Sequence, residues 1–207
     1  MRRNADWAQR YRPTTLDDMV LPDRMIKRLD RLVHAKGGMS LLFHGHPGTG
    51  KTTAAKLLNP DATIYINCTA SSSIEMVRNL HRTCSSMTLE GTRRLVLLDE
   101  ADFMSKEAQA ALRGVVEELS ITNDFVMTAN DPERLSDAMK SRFLPVSFDF
   151  LKDEELMGRA ERRLELILRA EGHGSPSPSV IRSIVRDAFP DLRRMIKLLQ
   201  FEVGGSS

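Results

Sequence analysis

Cysteine is scarce. Two residues, Cys68 and Cys84, in a chain of 207 are too few for a disulfide framework or a zinc module, so a buried core must supply the stability. The setting this implies is reduced and cytoplasmic. Long apolar runs are missing: none approaches the roughly 20 residues of a membrane span. No signal-type apolar segment follows the polar start Arg2, Arg3, Asn4 and Asp6, so no membrane partner is expected. An excess of one charge is missing too. The 30 basic and 28 acidic residues leave +2, which neither marks nor excludes nucleic acid, because a basic face can sit inside a neutral total. Internal repeats and low-complexity blocks are absent. What remains is a globular composition, 41% hydrophobic and 28% charged, with length for one ordinary domain or two small ones.

The most informative segment is Gly45-His46-Pro47-Gly48-Thr49-Gly50-Lys51-Thr52. It fits G-x-x-x-x-G-K-[ST], follows the apolar run Leu41-Leu42-Phe43 and precedes a helical stretch from Thr53 to Leu58. That strand–loop–helix context is the one a phosphate-binding loop requires. Glycines let the backbone turn its N–H groups toward one point. Lys51 brings a mobile positive charge for β- and γ-phosphates, Thr52 offers a hydroxyl to Mg²⁺, and the helix start with Thr53 adds partial positive charge. The expected ligand is ATP with Mg²⁺.

Apolar runs bounded by turn residues predict five short buried strands, at Ser40–Phe43, Thr63–Ile66, Leu95–Leu98, Asp124–Thr128 and Val146–Phe148. Helical spacing lies between them: Ile74, Val77 and Leu80, and then Ala108, Ala111, Leu112, Val115, Val116 and Leu119 with Ser105 as N-cap. Alternating strands and helices imply an α/β fold, a five-stranded parallel sheet covered on both faces. After about residue 150 the pattern is helical only, with stripes at Leu156–Leu168, Val180–Val185 and Leu192–Leu199. Gly172–Pro178 reads as a loop, Ser177-Pro178 as an N-cap and first helical position, and Pro190 as the opening of the last helix. The expected division is a nucleotide domain over 1–150, a three-helix lid over 151–203 and a tail, Gly204 to Ser207.

Leu95-Val96-Leu97-Leu98-Asp99-Glu100-Ala101-Asp102 supplies the expected partner of the phosphate loop. Asp99 at the end of a buried strand suits Mg²⁺, and Glu100 suits a general base that polarises the attacking water. Asp102 reads equally as a functional residue or a solvated one. Asn130, in Thr128-Ala129-Asn130, either reaches the γ-phosphate or the attacking water or simply starts a turn with Asp131-Pro132.

Further segments resemble the AAA+ ATPases and, within them, the sliding-clamp loaders. Trp7-Ala8-Gln9-Arg10-Tyr11-Arg12-Pro13 with Thr15-Leu16-Asp17-Asp18-Met19-Val20 resembles their opening W-x-x-[KR]-Y-R-P-x-x-[LIF]-[DE]-[DE]. Ile66 to Ser71 resembles their N-A-S-D segment, Ser141-Arg142-Phe143 their S-R-C motif, and Phe189-Pro190-Asp191-Leu192-Arg193-Arg194 their sensor-2 segment. Leu21-Pro22 and Phe189-Pro190-Asp191 are similar to the phage branch of that family, which would place the protein in the cytoplasm of an infected bacterial cell. Phe143 departs from the usual cysteine.

The resemblance implies roles. Tyr11 and Arg12 would line the adenine pocket with Val20 nearby. Arg193 would touch the γ-phosphate, Arg142 would act on a neighbour's ATP, and Gln109 would couple DNA binding to the ATP site. Ser71, Ser72, Ser73 and Arg78, with Lys106 and Arg113, are the candidates for contact with primer–template DNA. The sliding clamp and other clamp-loader subunits would be partners, with hydrolysis needing a neighbouring subunit. On residue type alone the readings are blander. Trp7 and Tyr11 are packing aromatics, Arg142 a surface ion-pair residue, Arg193 and Arg194 cations on a solvated face, and Gln109 a surface helix residue; their joint occurrence favours the functional reading for Arg142 and Arg193. A helical collar should follow in this family, and after Gly204-Gly205-Ser206-Ser207 nothing does, so the expectation is a fragment or a collar-less subunit. The alternatives are a branch-migration helicase motor, and a nucleotide-binding assembly module with little turnover.

Overall fold

The computed structural model describes residues 6–33, 38–60, 63–70, 72–85, 93–151, 153–173 and 178–204. Five strands form one sheet: β1 Ser40–His44, β2 Thr63–Asn67, β3 Arg94–Asp99, β4 Asn123–Ala129 and β5 Leu144–Ser147. Every pairing is parallel, in the order β2-β3-β4-β1-β5. This is the expected α/β architecture, and the strands lie where the apolar runs put them. The last one is displaced, because β5 begins at Leu144 and runs through Pro145. A proline that cannot donate to a ladder is tolerated here because β5 is an edge strand.

The helices among the described residues are α1 Trp7–Arg10, α2 Asp23–Val33, α3 Lys51–Leu58, α4 Ile74–Ser85, α5 Lys106–Leu119, α6 Asp137–Lys140, α7 Glu154–Ala170, α8 Pro178–Ala188 and α9 Leu192–Gly204. None is long and apolar enough to cross a membrane. Ser105 caps α5 as its position predicts, accepting the Ala108 N–H at 3.1 Å. The last helix differs from expectation. Pro190 precedes it, and Asp191 caps it by accepting the Arg194 N–H at 2.9 Å. Ser177, the expected cap of α8, lies outside the described residues. Helix α2 was not expected, although Met25, Ile26, Leu29, Leu32 and Val33 follow helical spacing; the six charged side chains of Asp23–Val33 dilute the apolar signal.

The chain divides into two compact units. One comprises Arg28–Gly45 and Lys51–Phe148; the other comprises Met1–Lys27, His46–Gly50 and Asp149–Ser207. The first holds the sheet. Leu42, Val96, Leu98, Phe125 and Met127 from the strands pack with Val77 and Leu80 of α4 and Leu112 and Val116 of α5. The alternation of helix and strand thus buries both faces of the central strands, and all seven residues of β4 are buried.

The second unit has its own core, in which Trp7 packs with Leu164, Ile167 and Leu168 of α7, Val185 of α8 and Met195 and Leu199 of α9. The Trp7 N–H donates to Gln200 Oε1 at 3.0 Å, joining α1 to α9. Tyr11 donates its hydroxyl to Glu171 Oε1 at 2.6 Å, and Arg10 pairs with the same carboxylate. The Tyr11 bond, then Arg10, holds the Glu171 carboxyl below its ordinary value against the opposing effect of burial. A carboxyl held low in the folded chain contributes stability that is complete above the ordinary carboxylate range and lost as pH falls through the lowered value. Glu171→Gln should therefore lower the thermal midpoint at pH 7, by about 2–4 °C. The gap to the parent chain should close as the pH is taken below the ordinary value of 4.5, measured by circular dichroism melts across the acid range.

Candidate functional site

The polar groups of the sheet unit converge at the carboxyl ends of β1, β3 and β4. Parallel pairing makes this geometrically necessary: Leu98 is opposite Met127, so Asp99 and Thr128 emerge side by side. Phe43 is opposite Thr128, which brings the start of the phosphate loop to the same edge. Ligands of open parallel sheets sit at this edge for the same reason.

Asp99 is 7% exposed, and its carboxylate is enclosed by hydroxyls. Thr52 donates to Oδ1 at 2.6 Å and Thr128 at 2.7 Å, while Tyr65 donates to Oδ2 at 2.9 Å. Thr128 acts twice, because its oxygen also accepts the Glu100 N–H at 2.9 Å. That bond holds Glu100 in a left-handed conformation, φ 57 and ψ 46, which is disfavoured for a side chain with a Cβ and persists where the surroundings over-determine it. Glu100 is half-buried. Lys51, buried at the start of α3, donates to Gly45 O at 2.7 Å and to Asn130 Oδ1 at 2.8 Å. Thr53 is half-buried in the first turn of α3.

Asp102 is buried, not solvated: it is 3% exposed. Its Oδ2 accepts the N–H groups of Asn130 and Asp131 at 3.2 and 3.0 Å. Gln109 is likewise inside, 2% exposed, and its amide is fully used. Nε2 donates to Met104 O and Arg134 O, both at 3.2 Å, and Oε1 accepts the Ser136 N–H at 2.8 Å. Arg142 pairs with Glu117 through Nε at 2.8 Å and through Nη2, and donates from Nη1 to Ala138 O at 2.6 Å.

Among the DNA candidates, Ser73, Arg78, Lys106 and Arg113 are exposed, Ser72 is half-buried and Ser71 lies outside the described residues. The starts of α4 and α5 adjoin, the Ser105 N–H donating to Ser72 O at 3.2 Å.

The other unit carries the remaining loop residues. Thr49 donates its hydroxyl to His46 O at 2.8 Å, His46 meets Asp149 at 2.9 Å, and Pro47 is exposed. Gly48 has φ +74, and a Cβ there would overlap the Asp191 carboxylate; at Gly50, φ +95, it would come within 2.7 Å of Met19 Cε. Gly48 is required on both counts; at Gly50 the positive φ is the reason, since the Met19 methyl can move aside. Tyr11 and Val20 pack against the Trp7 cluster, Arg12 is half-buried, and Arg193 is exposed in the first turn of α9.

No group of three or more His, Cys, Asp or Glu among the described residues could hold a metal. The donors present are the Thr52 hydroxyl and the Asp99 carboxylate, hard oxygens in contact with one another. They fit Mg²⁺, which takes few protein ligands and completes its shell from water and phosphate. Burial, reinforced by Asp99, Asp102 and Glu100, pushes the Cys68 thiol up to about 12, the opposite direction from that of a reactive thiolate. Two site residues escaped the sequence reading. Thr128 carried a signal, a lone hydroxyl in the apolar run Phe125-Val126-Met127, which burial obliges to find partners. Tyr65 carried none, because its reach depends on strand register.

Residues 41–148 match the family described as ATPase family associated with various cellular activities (AAA). A replication factor C small subunit of Methanothermobacter thermautotrophicus is 33% identical over 206 residues, covering 95% of this chain and 63% of its own. One from Saccharolobus solfataricus is 34% identical, covering 94% and 60%, and replication factor C subunit 4 of Caenorhabditis elegans is 32% identical, covering 94% and 61%. The chain thus spans 60–63% of the length of these curated relatives. The solved structure of the Thermotoga maritima RuvB Holliday junction branch migration motor aligns with a TM-score of 0.75 at 18% identity, over 92% of this chain and 64% of its own. That likeness is one of fold.

Thr128→Val should expose how far the site depends on one hydroxyl. The substitution keeps shape but leaves the Glu100 N–H without its acceptor and Asp99 without one donor. A loss of about 1–3 kcal/mol is expected, measured by urea unfolding, against a much smaller effect for Thr128→Ser.

Proposed function

This chain belongs to the AAA family of ATPases, and from that premise we propose that it binds and hydrolyses ATP with Mg²⁺ as a clamp-loader subunit, opening a sliding clamp and placing it on primer–template DNA. The observation that carries the ATP reading is the pair of contacts joining loop to strand ends, Thr52 to Asp99 at 2.6 Å and Lys51 to Asn130 at 2.8 Å. The clamp-loader reading rests on the sequence motifs and on relatives named replication factor C. It is further supported by the stretch between β3 and β4, which holds a 3-10 turn at Ala101–Phe103 and α5, where branch-migration motors usually carry a β-hairpin.

In this reading each side chain has a task. Lys51, held between Gly45 O and Asn130, is aimed at the β- and γ-phosphates. Thr52 and Asp99 hold Mg²⁺, whose charge offsets that of the phosphate oxygens. Glu100 polarises the attacking water, and its strained backbone fixes where the carboxylate starts from. Asn130 shares the γ-phosphate with Lys51, and Arg193 serves the γ-phosphate as well. Tyr11, Arg12 and Val20 receive the adenine. Arg142 serves the ATP of a neighbouring subunit. Leaving Glu117 is no obstacle, since a partly exposed pair of this kind is worth about 0–1 kcal/mol, whereas a finger supplied in trans accelerates NTPases by about 10³–10⁵. Ser72, Ser73, Arg78, Lys106 and Arg113 follow the DNA backbone from the adjoining helix starts, and Gln109 transmits that contact to the segment carrying Arg142.

Lys51→Ala should weaken Mg²⁺-ATP binding by about 10- to 100-fold, read by titration with a fluorescent ATP analogue; unchanged affinity would refute the phosphate-loop reading. Glu100→Gln should keep that affinity while turnover collapses. Mixing Arg142→Ala with Glu100→Gln chains, with clamp and primed DNA present, should restore part of the activity that each lacks. A mixture that stays inactive would show that Arg142 does not act across an interface.

A further inference from the structure

Asp99 presents two oxygens, and the hydroxyls around it are unevenly shared. Thr52 and Thr128 both donate to Oδ1; Oδ2 receives the phenol of Tyr65 at 2.9 Å. Tyr65 does not belong to the phosphate loop or to either acidic strand end. It lies on β2, at the edge of the sheet, opposite Leu97 of β3, with Asn67 opposite Asp99. It is therefore two residues short of the carboxylate along the strand, on the same face as Asn67, and only a long side chain spans the gap. Its ring is steadied from α3: the Lys56 ammonium sits 4.1 Å from the ring centroid, a cation–π arrangement that orients the phenol without using its hydroxyl. Although Tyr65 is 44% exposed, its hydroxyl points inward to a nearly buried carboxylate rather than outward to water.

We infer that Tyr65 is a positioning residue of the ATP site: its hydroxyl holds Asp99 Oδ2 and so sets the carboxylate rotation at which Asp99 and Thr52 together receive Mg²⁺. The inference rests on the reading of Asp99 as the Mg²⁺-facing carboxylate. Two threonine hydroxyls anchor Oδ1, but with one oxygen held the carboxylate can still pivot about that point by combined rotation of its Cα–Cβ and Cβ–Cγ bonds. The phenol on the other oxygen closes that rotation. Without it the carboxylate keeps its place at the strand end but loses a fixed orientation, so the ion and not the nucleotide is bound less well.

The test is Tyr65→Phe, which keeps the ring and its contact with Lys56 and removes only the hydroxyl. Binding of a fluorescent ATP analogue would be titrated with Mg²⁺. The expected result is a rise of about 3- to 10-fold in the Mg²⁺ needed for half-maximal binding, the size of one partly exposed hydrogen bond to a charged group. Affinity in excess EDTA should stay unchanged. A second readout uses the fact that the chain has two tyrosines, Tyr11 and Tyr65. With ¹³Cζ-tyrosine labelling, the resonance that vanishes in Tyr65→Phe should shift when Mg²⁺ is added to the ATP-bound chain, and should not shift in Asp99→Asn. A Mg²⁺ requirement within twofold of the parent, or a fall in melting temperature with no change in that requirement, would overturn the inference and leave Tyr65 as a packing residue. If the parent chain binds ATP without regard to Mg²⁺, the assignment of Asp99 itself falls, and the inference with it.

Discussion

A carboxylate at the end of a buried central strand must be surrounded by donors, and much of the sheet unit's chemistry is organised around meeting that requirement at Asp99. It is 7% exposed, in the region where an unpaired charge is most costly. Three hydroxyls from three elements solve the problem: Thr52 from α3, Thr128 from β4 and Tyr65 from β2. Each must arrive in register, so the parallel order of the strands and the entry of α3 are constrained together. The same solution assembles the groups suited to a metal and a phosphate. Stability and the proposed ATP chemistry therefore draw on one cluster.

Two buried polar side chains extend that cluster away from the strand ends. Asp102 accepts the N–H groups of Asn130 and Asp131, and Gln109 bonds to Met104, Arg134 and Ser136. Between them they join the 3-10 turn Ala101–Phe103 and the first turn of α5 to the segment from Asn130 to Ser136. Apolar packing would hold these pieces adjacent; directional hydrogen bonds in a dry setting hold them at fixed angles. Gln109 ties α5 to Arg134 and Ser136, and Asp102 ties the turn before α5 to Asn130 and Asp131. The Arg142–Glu117 pair is of a different kind. It lies at the surface, where solvent competes, and its partners can be exchanged at little cost.

Periodicity, composition and motif spacing were enough to establish the α/β class, the five strands, the helical pattern after residue 150, the Ser105 cap and the strand–loop–helix setting of the segment from Gly45 to Thr52. These are local properties: apolar runs, helical stripes and a loop whose glycines must take positive φ are written in adjacent residues. The spacing of Asp99 and Glu100 behind an apolar strand was legible for the same reason. Only the tertiary structure decided which polar residues are inside. Asp102 and Gln109 look like solvated helix residues by type, yet both are buried because the chain folds the Asn130–Ser136 segment over them. Thr128 and Tyr65 join the site through strand pairing, a relation between residues far apart in the chain that no local pattern encodes. The displacement of β5 and the capping of α9 by Asp191 likewise follow from partners supplied by the fold: an edge position tolerates Pro145, and a helix takes whichever side chain reaches its first free N–H groups.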